Sequence, residues 1–174
     1  MAGQLEGRRV GLFVADLFED IEAYYPYYRL AEEGAHVTVV GPSARTYQGK
    51  QGMTMEADAA LEDIGSGDFG ALVLPGGYAP DHLRRHQRLL DRVAEADKAG
   101  KPIAAICHAG WVLVSAGIIN GRRVTGFWSI RDDLVNAGAE YQDSEVVRDG
   151  NLITSRYPND LGAFCGTLID AMTR

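Results

Sequence analysis

The chain has 174 residues, 46% of them apolar and 24% charged, which suits a single domain over residues 1–174 and leaves little room for a second core. A formal net charge of −7 excludes the broad basic surface that holds a phosphate backbone, so stable nucleic-acid binding is not expected. The longest apolar runs, such as ALVLP and PIAAIC, are too short to span a bilayer, and the opening MAGQLEGRR lacks the apolar stretch of a secretory signal, so the expected location is cytoplasmic.

In chain order, RRVGLFVAD (8–16) is rich in β-branched and aromatic residues and reads as a buried strand. FEDIEAYYPYYRLAEEG (18–34) follows as a helix closed by Gly34, with Pro26 expected in its first turns or at a kink. AHVTVVG is a second strand. RTYQGKQGMTMEADAAL, punctuated by glycine, reads as a hairpin or an excursion from the sheet. FGALVLPGG is an apolar strand ending in a Pro-Gly-Gly turn, and a helix is expected from Asp81 to Ala99. KPIAAIC is another buried strand, followed by HAGWVLVSAG as a helix. GRRVTGF is a short strand, SIRDDLVNAG a helix with Ser129 as its N-cap, EYQDSEVVRDGNLITSR two strands around Asp149-Gly150, and Pro158 opens a final helix.

Strands apolar on both faces and alternating with helices predict a mostly parallel sheet with helices on both sides. Sites in such sheets gather at the carboxyl ends of the strands. Three strand ends carry unusual chemistry: those after Ala15, Leu74 and Ile106.

At the last of these, Ala105-Ile106-Cys107-His108-Ala109 has the small-x-nucleophile-x-small form of a nucleophile elbow. The elbow places Cys107 at a helix start, where free N–H groups favour a thiolate and, with that of His108, hold an oxyanion. This pattern favours a nucleophile over a packed core thiol. Cys165, among Phe164, Leu168 and Ile169, reads as a core thiol; the two cysteines form no CxxC. In LPGGYAPD the N–H groups of Gly76 and Gly77 are candidate oxyanion donors. Glu19 and Glu22, three apart, share a helix face that can overlook Cys107. A carboxyl there either is protonated and donates to sulfur or opposes the thiolate. Adjacent residues at a helix start diverge by about 100°, so His108 serves as a base to Cys107 only on a strained elbow, with a carboxylate such as Asp81, in this chain or a neighbouring subunit, orienting its ring. GSGDFG (65–70) precedes a strand and is set aside as a dinucleotide site. His82-x-x-x-His86 has metal-ligand spacing but lies among arginines that repel a cation.

Taken together, FEDIEAYYPYYRLAEEG, ALVLPGGYAPD, GKPIAAICHAGWVLVSAG, DDLVNAG and NLITSRYPNDLGAF resemble the DJ-1/PfpI superfamily, in its PfpI-like branch, from about Arg8 to Met172. The resemblance implies a flavodoxin-like α/β sandwich, akin to class I glutamine amidotransferases, and self-association as a dimer or hexamer. It implies that Cys107 is the reactive cysteine and His108 the histidine after it, that Glu22 is the acid bonded to the cysteine, and that Glu19 is a further acidic position. Asp81 stands where a glutamate often reaches a neighbouring subunit's histidine, one methylene shorter. Phe127 falls where relatives often carry tyrosine, and Trp111 where they differ. The chemistry implied is cofactor-free and metal-free: attack of Cys107 on a reactive carbonyl or glycated substrate (glyoxalase or deglycase). The alternatives are an intracellular cysteine peptidase acting on peptides and a non-enzymatic stress protein oxidised at Cys107.

Overall fold

The computed structural model describes residues 3–173. The hydrophobic runs become the central strands β1 (Arg9–Phe13) and β2 (His36–Gly41), with helix α1 (Asp20–Glu32) between them. A small hairpin, β3 (Thr46–Gln48) and β4 (Thr54–Glu56), and the short β5 (Ala59–Ala60) follow. Then come β6 (Ala71–Leu74), α2 (Ala79–Leu83), α3 (Gln87–Lys98), β7 (Ile103–Ile106) and α4 (Gly110–Ala116). The chain closes with β8 (Arg123–Val124), α5 (Arg131–Asn136), β9 (Glu140–Tyr141), the pair β10 (Val146–Asp149) and β11 (Leu152–Ser155), and α6 (Leu161–Thr173).

The main sheet runs β10-β11-β7-β6-β1-β2-β5, parallel except for β10, which pairs antiparallel with β11. β6 and β7 are buried along their whole length, which is why they read as unbroken apolar runs rather than alternating ones; β11 is equally buried but carries Thr154 and Ser155. Helices α1 and α6 pack together over one face, and α3 and α4 over the other. From β1 the chain moves one way to β2 and later the other way to β6. The crevice at this reversal opens above the carboxyl ends of β1 and β6, where α/β sheets hold ligands.

Two expectations are corrected. The helix expected over 81–99 is two helices, because His86 adopts an extended conformation (φ −96°, ψ 103°) and restarts the chain as the N-cap residue of α3. This turn lets Leu83 and Leu89 both bury completely. Ser129 does not cap a helix: it lies in a 3-10 turn, Trp128–Ile130, and α5 begins at Arg131. α1 runs through Pro26, whose missing N–H leaves the Glu22 carbonyl without its usual i+4 donor.

The β3–β4 hairpin is held by acidic residues between β1 and the first turn of α1. Asp16 Oδ1 accepts the Gln48 N–H at 3.1 Å and its carboxylate pairs with Arg45. The buried Asp20 carboxylate accepts the N–H groups of Gln51 (2.8 Å) and Met53 (2.9 Å). Glu19 pairs with Lys50 at 2.9 Å. An Asp20→Ala variant loses two charge-assisted bonds to backbone donors and is expected to lose about 2 kcal/mol of stability. Faster amide exchange confined to 48–54 would accompany this; unchanged exchange there would show that the clamp contributes nothing.

Candidate active site

Three strand ends converge. After β7 the backbone of Cys107 turns to φ +62°, in the left-handed region, and a 3-10 turn, Cys107–Ala109, leads into α4. A non-glycine residue there costs on the order of 1–3 kcal/mol, so the surrounding packing imposes it. The strain lifts Sγ to the carboxyl edge of the sheet, with Cys107 8% exposed. The backbone N–H groups of Gly77 and His108 act on the sulfur and favour its charged form.

Glu22 reaches the same place from α1. It is fully buried, and its Oε2 accepts the Gly76 N–H at 2.8 Å. Its Oε1 has no hydrogen-bond partner among the described residues, although the carboxyl lies in interaction range of Cys107. Gly76 makes this meeting sterically feasible. A methyl group there would stand 2.5 Å from Glu22 Oε2 and 2.6 Å from Cys107 Cβ. Gly77, at φ +79°, has no room for a side chain either, since one would meet the Glu19 nitrogen at 2.5 Å.

Burial pushes the Glu22 carboxyl up to about 8, with the nearby Glu19 charge adding to the effect against the Gly76 bond. Burial also pushes the Cys107 thiol up, to about 12, and a charged Glu22 adds to it; the Gly77 and His108 N–H groups act the other way. A thiolate at Cys107 is thus opposed by burial and by a charged Glu22, and favoured by the two N–H groups. Each charged form penalises the other, so the two groups do not ionise together near neutrality. The neutral Glu22 is a proton donor next to sulfur rather than an opposing charge.

His108 does fold back onto Cys107: Nδ1 lies 3.2 Å from Sγ. The left-handed elbow supplies the rotation that ordinary helical geometry withholds. Its ring stacks on Phe127 (centroids 4.9 Å apart) and meets Trp111 edge-on at 5.1 Å. Burial, then the Lys50 charge, holds the imidazole below its usual value, so it is neutral near pH 7.

The remaining candidates separate. Glu19 turns to Lys50 and not to sulfur. Asp81 pairs with Arg85 on the surface and does not approach His108 of its own chain. The Gly76 N–H is not a free oxyanion donor, because Glu22 occupies it. Cys165 is buried in α6, its thiol pushed up to about 12 by desolvation. His82 and His86 take part in no cluster of three or more His, Cys, Asp or Glu residues able to hold a metal, among the described residues. No helix among them is long and apolar enough to cross a membrane.

Lys50 was not evident from the sequence. It comes from the hairpin, 2.9 Å from Glu19 and 5.5 Å from the Tyr78 ring, and its charge acts on Cys107, Glu22 and His108. The acidic FEDIE run needs donors, and nothing local said that the hairpin would supply one.

The model of the DJ-1/PfpI family matches residues 8–171. The chain belongs to the DJ-1/PfpI family. It is 45% identical over 156 residues to a deglycase of Pyrococcus abyssi, covering 90% of this chain and 94% of the relative. It is 43% identical over 150 residues to the deglycase PfpI of Pyrococcus furiosus, covering 86% and 90%. Among solved structures, Drosophila melanogaster DJ-1beta superposes with a TM-score of 0.90 at 28% identity, over 99% of this chain and 91% of that one. The flavodoxin-like sandwich expected from the sequence is therefore shared with DJ-1/PfpI proteins of known structure.

Proposed function

We propose that this DJ-1/PfpI protein is a cofactor-independent enzyme that uses Cys107 to process reactive carbonyls or their adducts. The observation that carries this reading is the contact of one sulfur with a neutral base, His108 Nδ1 at 3.2 Å, beside a buried acid that retains its proton to about pH 8. The deglycase names of the archaeal relatives support it.

With methylglyoxal as the test substrate, Cys107 Sγ attacks the aldehyde carbon while its proton passes to His108 Nδ1. The N–H groups of Gly77 and His108 stabilise the alkoxide, which takes the proton back to give a hemithioacetal. His108, neutral again, removes the proton from the sulfur-bound carbon as Glu22 donates to the neighbouring carbonyl oxygen. The resulting enediol takes the proton held by His108 at that second carbon while its first-carbon hydroxyl returns a proton to Glu22, so the second carbon is reduced and the first becomes a thioester. Water hydrolyses the thioester to lactate and restores the thiol. The substrate is rearranged internally and no outside oxidant or reductant is consumed. Peptide hydrolysis is less well supported, because it needs a group that protonates a departing amine, and a histidine adjacent in sequence to Cys107 is harder to bring to it.

The test is lactate formed per thiol. Many equivalents per Cys107 are the expected result. Loss of aldehyde at one equivalent or less, without lactate, would mean trapping only and would turn attention to oxidation of Cys107 as the event that matters.

A further inference from the structure

His108 meets a second partner on the side away from sulfur. Its Nε2 lies 3.2 Å from Ser129 Oγ. The 3-10 turn that carries Ser129 is tied to the elbow, since the Phe127 N–H just before it donates to the Cys107 carbonyl at 3.1 Å. The aromatic ring of Phe127 is the one stacked on the imidazole. Sulfur, imidazole and hydroxyl thus follow one another by contact, and the turn between β8 and α5 is bonded to the elbow.

We propose that Ser129 is the positioning residue for His108, completing a Cys107–His108–Ser129 relay inside a single chain. The inference rests on His108 acting as the base in the reading above. A neutral imidazole has one donor and one acceptor nitrogen. For Nδ1 to accept the thiol proton, the ring hydrogen must sit on Nε2, and the Ser129 oxygen is the acceptor placed there. When His108 becomes an imidazolium, the same bond persists. A carboxylate in this position would also hold the ring, but it would favour the charged imidazolium at rest and leave less capacity to accept a proton. The uncharged serine orients the base and keeps it neutral.

Among the described residues of this chain, this bond and the contact with Cys107 are the polar tethers of the ring. Lys50 faces it from the hairpin. Arg84 lies over Trp111 at 5.7 Å and Asp133 accepts the Trp111 indole N–H at 2.8 Å, so both are engaged with that ring rather than with the imidazole. Asp81 is paired with Arg85.

The test compares wild type with Ser129→Ala, Ser129→Thr and Ser129→Asp in the full-length protein. Ring-nitrogen NMR shifts of His108, followed across pH, report tautomer and titration; lactate formation reports turnover. Ser129→Ala is expected to mix the two tautomers and lower kcat about tenfold with little change in KM, a fraction of the 10²–10⁴ that a general base supplies. Ser129→Thr, which keeps the hydroxyl, restores both. Ser129→Asp moves the His108 titration, and with it the acid limb of the pH–rate profile, to higher pH. Unchanged nitrogen shifts in Ser129→Ala would overturn the proposal even if the wild type is an active enzyme. If the wild type makes no lactate, the functional reading falls, yet the nitrogen shifts still decide whether Ser129 orders the ring.

Discussion

Replacing Cys107 with serine is expected to abolish lactate formation, with a loss of at least about 10³-fold in kcat. Replacing Cys165 with serine leaves the rate within about twofold of wild type. Both thiols are buried, and burial pushes both up to about 12. What differs is the neighbourhood. Cys107 has a neutral imidazole nitrogen at 3.2 Å, two backbone N–H groups and a carboxyl that holds its proton. Cys165 has apolar packing in α6. The serine hydroxyl keeps the hydrogen bond but is a far weaker nucleophile at neutral pH, so the variant folds without turning over. Equal rates in the Cys107→Ser variant and the wild type would remove the elbow from the chemistry altogether.

The second large effect belongs to Glu22 and appears in stability as well as in rate. Its carboxyl rises from an ordinary 4.5 to about 8 on folding, chiefly through burial. The native state therefore binds the proton more tightly than the unfolded chain. The associated stability is fully present below about pH 4.5, and is lost as pH rises through about 8. At about 1.4 kcal/mol per unit the decline over that window amounts to several kcal/mol at most. A Glu22→Gln variant keeps the shape, cannot ionise, and is expected to lose this slope, so its melting temperature falls less between pH 5 and 8 than the wild type's. Its thiol should also ionise more readily above pH 8, because no carboxylate opposes the sulfur. Turnover falls by on the order of 10²–10⁴, since the amide cannot pass a proton to the carbonyl oxygen. Parallel stability curves for the two proteins would show that Glu22 is not the buried acid described above.

Much of the architecture was legible in the sequence. The parallel strands announce themselves because burial on both faces leaves no polar alternation, and the elbow because only small residues fit two positions from Cys107. The meeting of Glu22 with Cys107 was half legible: helical spacing put Glu19 and Glu22 on one face, but which of them turns to sulfur depends on Lys50 drawing Glu19 away. The role of Gly76 was hidden for a related reason. Its N–H is directed by the carboxyl beside it, a partner 54 positions away in sequence. The reach of His108 to sulfur depends on one backbone angle at Cys107, and periodicity is silent about single residues in unusual conformations. Ser129 was visible as a helix-start residue type, yet its hydroxyl goes to a ring brought near by β8 and the turn after it.

The hairpin over the crevice is fastened mainly through its main chain. Asp16 and Asp20 accept backbone N–H groups, and the Lys50 N–H donates to the Phe18 carbonyl at 2.9 Å. The side chains of Gln51 and Met53 are exposed and take no part in that fastening. The loop is in effect an interchangeable visor: its outer residues are open to randomisation or grafting while the clamp and the elbow stay as they are. Diversification aimed at new substrates belongs at these two positions before any residue of the crevice floor is touched.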